Sequence, residues 1–199
     1  MSQIEEKLNV AAICPVSYAL GPGKRFVIWL QGCCFSCSKC GSPEWQSTKD
    51  AIRMSVDELV DCISTVPEIE GITISGGEPM LQVKLLVDFV KLLKSKSKIS
   101  IICYTGYLLD DLRNIHSDEI DYFLDIIDVL IDGPYIDSLN DNNGWRGSTN
   151  QNVHFLSGLY RDKKDEFTSR SRNIEIHLFN NRYLIVGIKP KILLDNLIL

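Results

Sequence analysis

The chain has 199 residues, 45% of them hydrophobic, enough to bury one substantial core and too few for two ordinary domains. Its formal net charge of −5 supplies no general field for a phosphate backbone, so nucleic acid is not expected as a partner. No apolar run approaches the roughly 20 residues of a membrane-spanning helix, and Glu5 and Glu6 interrupt the basic start of a secretory signal, so a cytosolic location is expected.

Taken in chain order, β-branched and apolar segments near 9–14 and 26–30 predict the first strands. Ser55 with Glu58 forms a capping box that opens a helix running to about Thr65. A strand over 71–75 ends in Gly76-Gly77-Glu78-Pro79, and Leu81, Leu85, Phe89, Leu92 and Leu93 then follow a helical stripe. The lysines at 84, 91, 94, 96 and 98 mark the wetted side and exit of that helix. A strand over 99–103 precedes helices at 110–115 and 118–127, the second opened by Ser117 with acidic residues in its first turn. The next apolar segment, 127–131, is read as a strand. Residues 135–155 read as a long polar loop, a length that a compact domain keeps chiefly to bind something, and 162–172 as a solvated linker. Ile174, Ile176 and Leu178 alternate with polar residues, Asn180-Asn181 makes a turn, and Tyr183 to Val186 completes a hairpin. Strands alternating with helices predict an α/β fold with a mostly parallel sheet and a C-terminal hairpin.

Four of the seven cysteines fall within residues 33–40, which in a reducing compartment indicates metal or catalysis rather than disulfides. Cys33, Cys37 and Cys40 are spaced C-x3-C-x2-C on a loop after a strand. Three thiolates on one short loop each reach a different iron of a cubane cluster and leave the fourth iron open to a reactant. The rival reading is a structural zinc site with a remote fourth ligand, although such sites usually show two separated ligand pairs. Cys34 lies inside the triplet and offers a slipped alternative. Cys14, Cys62 and Cys103, in apolar surroundings, are expected to be buried core thiols. His116, His154 and His177 have no metal-ligand spacing. The double glycine at the end of the 71–75 strand lets backbone approach a ligand closely.

The cysteine triplet followed by the Gly-Gly-Glu turn resembles the radical S-adenosylmethionine superfamily. Further segments narrow the resemblance: Gly21-Pro-Gly-Lys-Arg25, Val27 to Gly32, Pro43-Glu-Trp45, Tyr104-Thr-Gly-Tyr107, Asp128 to Tyr135, Trp145 to Gln151, Asn181-Arg182 and Gly187-Ile-Lys-Pro190. These are similar to the glycyl-radical activases, in particular the activating proteins of anaerobic ribonucleotide reductase. The resemblance covers about residues 10–190 and implies a single domain over residues 1–199, its core at about 10–190 built as a partial (β/α) barrel. It implies a 4Fe-4S cluster on Cys33, Cys37 and Cys40, and S-adenosylmethionine bound by Gly76, Gly77 and Glu78. Asp132, at the end of a predicted strand, is a further cofactor-binding candidate, with helix or turn capping as the alternative. Arg146 and Asn150 are candidates for contact with cofactor or partner. The implied reaction is reductive cleavage of S-adenosylmethionine to a 5′-deoxyadenosyl radical, which takes hydrogen from a glycine Cα of a large glycyl-radical enzyme. The electron is expected from a donor such as flavodoxin or ferredoxin. One departure stands out: Lys39, Gly41 and Ser42 flank Cys40 where such activases usually have a small residue before it and an aromatic residue with Asn after it. Trp45 and Phe35 are candidates to supply the missing ring, and a different peptide or small-molecule target is the alternative substrate.

Overall fold

The computed structural model describes residues 6–179 and 182–190. In chain order its elements are β1 (Leu8–Ser17), β2 (Arg25–Leu30), β3 (Ile52–Met54), α1 (Val56–Ser64), β4 (Gly71–Gly76), α2 (Val83–Lys96), β5 (Ser100–Tyr104), α3 (Leu109–Asn114), α4 (Asp118–Ile126), β6 (Val129–Asp132), β7 (Asn152–Phe155), α5 (Lys164–Ser169), β8 (Glu175–Phe179) and β9 (Arg182–Val186). Seven strands form one sheet in the order β3-β1-β2-β4-β5-β6-β7. Its centre, β2-β4-β5-β6, is parallel; β1 and β7 run antiparallel to it on either side, and β3 pairs antiparallel with β1 at the edge. The predicted hairpin is present as β8-β9, with Leu178 opposite Tyr183. The Asn180-Asn181 turn lies outside the described residues.

Period-two alternation sorts the central strands onto two faces. Phe26, Ile28, Leu30, Ile72, Ile74, Ile101 and Leu130 pack against α1 to α4 in one core. Val27, Trp29, Ile102, Val129 and Ile131 face the other way, under the hairpin and the 145–167 segment. Each fully buried aliphatic or aromatic side chain contributes about 1.5–3 kcal/mol, so both faces must be covered. The near-continuous apolar runs of β2 (Phe26 to Leu30) and β6 (Val129 to Ile131) follow from this two-sided burial, whereas polar Thr73 and Ser75 interrupt the run in β4.

The capping box of α1 is formed as expected: Ser55 Oγ accepts from the Glu58 amide, and Glu58 accepts from the Ser55 amide. Ser117 caps α4 through the Ile120 amide. Three sequence expectations need correction. Cys62 is exposed, because α1 buries Leu59, Val60 and Ile63 and turns Cys62 outward, whereas Cys14 and Cys103 are buried as expected. The buried stripe of α2 is Leu86, Val87, Phe89, Val90 and Leu93, while Leu81 is half exposed on a 3-10 turn over Pro79–Gln82. Residues 162–172 are not a solvated linker, since α5 buries Phe167 against Trp145, Phe155 and Tyr160.

One buried charge ties the sheet together at the N-terminal ends of its strands. Arg25 is fully buried and donates to Thr73 Oγ1 at 2.7 Å, Ser100 Oγ at 3.0 Å and the carbonyls of Pro22 and Ile72. Burial pulls its guanidinium below the ordinary arginine range, and hydrogen bonds spread over β4 and β5 offset the cost of leaving water.

Candidate active site

The C-terminal ends of all four parallel strands open into one cavity of about 470 Å³, where α/β sheets place ligands. β2 leads into the loop carrying Cys33, Cys37 and Cys40; β4 supplies Gly76, Gly77 and Glu78; β5 supplies Tyr104, Thr105 and Gly106; β6 leads to Gly133, Pro134 and Tyr135. The hairpin closes one side with Tyr183, Leu184 and Ile185. The two sequence motifs therefore share one chamber despite lying some forty residues apart.

The glycine turn is stitched directly onto the root of the cysteine loop. Gly77 N donates to Leu30 O at 2.7 Å and Glu78 N to Gly32 O at 2.8 Å. A Cβ on Gly77 would stand 2.0 Å from Gly32 O, and one on Gly76, whose φ is +111°, would stand 2.2 Å from Leu30 N. Both glycines are thus required for close approach between two stretches of the protein's own backbone, a reason beyond the ligand contact expected from sequence.

Each cysteine sulfur meets a backbone N–H: Phe35 N lies 3.4 Å from Cys33 Sγ, Ser42 N lies 3.5 Å from Cys40 Sγ, and the Tyr135 amide donates to Cys37. Burial pushes the Cys33 and Cys37 thiols up, which leaves a metal to hold them as thiolates. Among the described residues no three His, Cys, Asp or Glu side chains converge as ligands of a single ion. Cys34 is exposed and outside the cavity lining, its sulfur 3.4 Å from the Tyr107 hydroxyl, which that contact and burial push up to about 12.

Glu78 is almost completely buried, and all its contacts are donors. Oε1 accepts from Met80 N at 2.9 Å and Thr105 Oγ1 at 2.8 Å; Oε2 accepts from Gly106 N at 2.8 Å. Burial pushes this carboxyl up, and the three hydrogen bonds work against that shift. The side chain fastens the β4 turn to the β5 turn within the cavity lining. Phe35 and Trp45, the two candidate rings, both line the cavity, Trp45 against Trp29 with centroids 5.4 Å apart.

Asp132, expected to touch the cofactor, is placed otherwise. It is outside the lining, and its oxygens accept from Leu109 N at the start of α3 and from Asn152 N, with His154 Nε2 at 2.7 Å. The capping alternative accounts for these contacts. Arg146 and Asn150 also lie outside the lining; Arg146 pairs with Asp141, and Asn150 donates to Pro134 O at 2.8 Å. The 135–155 segment is held by a side chain from outside it: Arg172, its side chain 3% exposed, donates to Asn140 Oδ1 and to the carbonyls of Asn143, Arg146 and Gly147. Lys39 pairs with Asp137 at 3.3 Å, joining the cysteine loop to this segment. Sequence reasoning gave no role to Thr105, Gly106 or Lys189, whose ammonium donates to Gly41 O at 2.9 Å. The signal for the first two was the Tyr104-Thr-Gly-Tyr107 segment.

Residues 19–154 match the 4Fe-4S single cluster domain family. The anaerobic ribonucleoside-triphosphate reductase-activating protein of Escherichia coli (strain K12) is 32% identical over 161 residues, spanning 75% of this chain and 99% of that protein. The chain belongs to this activating-protein family. The phage T4 protein of the same name is 28% identical over 153 residues, covering 73% of this chain and 93% of its own. A pyruvate formate-lyase-activating enzyme of Staphylococcus epidermidis is 33% identical over 126 residues, covering 59% and 49%. The activase is accordingly a radical S-adenosylmethionine enzyme, with a 4Fe-4S cluster and S-adenosylmethionine as cofactors. Its chamber fits them: three thiols, three sulfur-directed amides and a glycine turn fastened to the root of the cysteine loop meet in one lining. Among the described residues no helix is long and apolar enough to cross a membrane.

Proposed function

We propose that Cys33, Cys37 and Cys40 hold the cluster, that the Gly76-Gly77-Glu78 turn holds the amine of S-adenosylmethionine, and that the activase generates the glycyl radical of anaerobic ribonucleotide reductase. The observation that carries this reading is the opening of the cysteine loop and the glycine turn into one cavity at the ends of the parallel strands. Residues 1–199 are read as one domain in the cytoplasm, its core of about 10–190 a partial (β/α) barrel, with flavodoxin or ferredoxin as electron donor. When bound, the cluster and S-adenosylmethionine supply a 5′-deoxyadenosyl radical able to take hydrogen from a glycine Cα.

The chain's own residues position and enclose. Glu78 locks the β4 and β5 turns together, so the backbone that receives the cofactor amine is fixed before binding. Amides of Phe35, Ser42 and Tyr135 lower electron density at the sulfurs, a lever on cluster potential. Trp29, Trp45 and Phe35 exclude water from the chamber. The Lys39–Asp137 pair joins the cysteine loop to the segment bearing Tyr135 at the cavity wall.

The test is anaerobic incubation of the reconstituted activase with reductant, S-adenosylmethionine and the reductase from the same cell. The expected result is a glycyl-radical EPR doublet with about one 5′-deoxyadenosine per radical. Formation of 5′-deoxyadenosine with no radical on the reductase would direct attention to another peptide or small-molecule target, the reading that Lys39 and Gly41 leave open.

A further inference from the structure

The wall of the cavity made by β9 continues beyond the cavity. Tyr183 and Ile185, two residues apart on β9, both line it, together with Leu184 between them on the opposite face. The hairpin register sets Leu178 opposite Tyr183 and Ile176 opposite Ile185, so these four side chains leave the same face. Ile176 is 63% and Leu178 78% exposed. An apolar face thus begins inside the reaction chamber and ends in solvent.

The other face of the hairpin is anchored to the body of the protein. Leu184 and Val186 pack with Cys14, Val27 and Trp29. His177 Nε2 lies 3.6 Å from Cys14 Sγ, and Glu175 Oε1 accepts from the Tyr18 amide at 2.8 Å. With one face fixed, the other is presented in a defined orientation, and an oriented apolar patch on a protein surface marks an interaction site.

We propose that this face seats the glycyl-radical enzyme: an extended segment of the partner lies across Leu178 and Ile176 and passes Tyr183 to bring its glycine to the chamber. The inference rests on the proposed function, since a polypeptide substrate needs a surface that leads to the reaction site and a free small molecule does not. Continuity between the face and the cavity lining selects this occupant over a second copy of the chain or the chain's own residues 191–199, neither of which needs to reach the chamber. Among the described residues β8 pairs only with β9, which leaves its outer edge available for main-chain bonds to the incoming segment.

The test uses the reconstituted holoprotein and the double variant Ile176→Thr/Leu178→Thr, which places β-branched residues suited to a strand at both positions. Neither residue lines the cavity, so 5′-deoxyadenosine formed with chemical reductant and no partner should be unchanged. Affinity for anaerobic ribonucleotide reductase should weaken by about tenfold or more, and radical yield should fall at low reductase and recover at high reductase. Unaltered affinity overturns the proposal. Unaltered affinity with a changed sedimentation profile identifies a second copy as the occupant, and unaltered affinity with faster hydrogen exchange in β8 on truncation after Pro190 identifies the chain's own end. A wild-type protein that makes no radical on the reductase removes the proposed function and this inference with it, whereas a normal wild-type radical with an unimpaired double variant removes this inference alone.

Discussion

Glu78 accepts three hydrogen bonds from three donors, an arrangement that only an acceptor-only group satisfies in full. In Glu78→Gln the side-chain NH2 must face either the Gly106 amide or the Met80 amide and Thr105 hydroxyl, leaving a buried donor unpaired. Removing the charge relieves the burial that pushes the carboxyl up, so global stability is a poor readout. Local opening at the two turns is the better one. A lost bond worth about 1–3 kcal/mol should speed exchange of the amide left unpaired, Gly106 or Met80, roughly 5- to 150-fold and lower 5′-deoxyadenosine yield. Cys14 makes a second residue-scale prediction. Burial, with the Glu175 charge adding to it, pushes its thiol up from 9.0 to about 11. A group whose folded value is raised contributes stability fully present below its unfolded value and lost as pH rises through the folded one. The unfolding midpoint should therefore fall between about pH 9 and 11, and Cys14→Ala should flatten the slope in that window.

Elements with strong internal patterns were legible from sequence. Ser55 and Glu58 announced α1, Ser117 announced α4, and alternation gave the β8-β9 pair. β7 was missed because Asn152–Phe155 is a short edge strand with half-buried side chains, so neither alternation nor a continuous apolar run marks it. α5 was missed because six residues carry a single buried anchor, Phe167, among charges that read as solvated. Cys62 was misplaced by reading its apolar sequence neighbours instead of the helical face they occupy. Arg172 shows why the 135–155 segment holds a shape that its composition does not predict: one side chain from outside it satisfies several of its carbonyls. Arg172→Met should lower stability by about 3 kcal/mol or more in chemical denaturation, and Arg172→Lys should not restore it, because a single ammonium cannot span the same acceptors.

For the whole molecule, the sheet divides labour between its faces. Helices α1 to α4 cover one face, so the other, with the strand ends, is left to build the chamber from loops and the hairpin. The sequence located the cysteine loop and glycine turn because their chemistry is local. It did not reveal that Gly32 and Gly77 meet backbone to backbone, since that contact exists only once β2 and β4 pair in parallel. Nor did it separate Asp132 from the chamber, because capping of α3 and contact with a cofactor ask for the same residue at the same strand end. The account depends on a cluster held by three cysteines with one iron left for the cofactor. Low-temperature EPR of the anaerobically reduced protein, with and without S-adenosylmethionine, tests it most directly. The expected spectrum is a 4Fe-4S signal that changes on adding S-adenosylmethionine and is lost in Cys37→Ala. A signal indifferent to the cofactor, or a protein that holds one zinc and no sulfide, would contradict it.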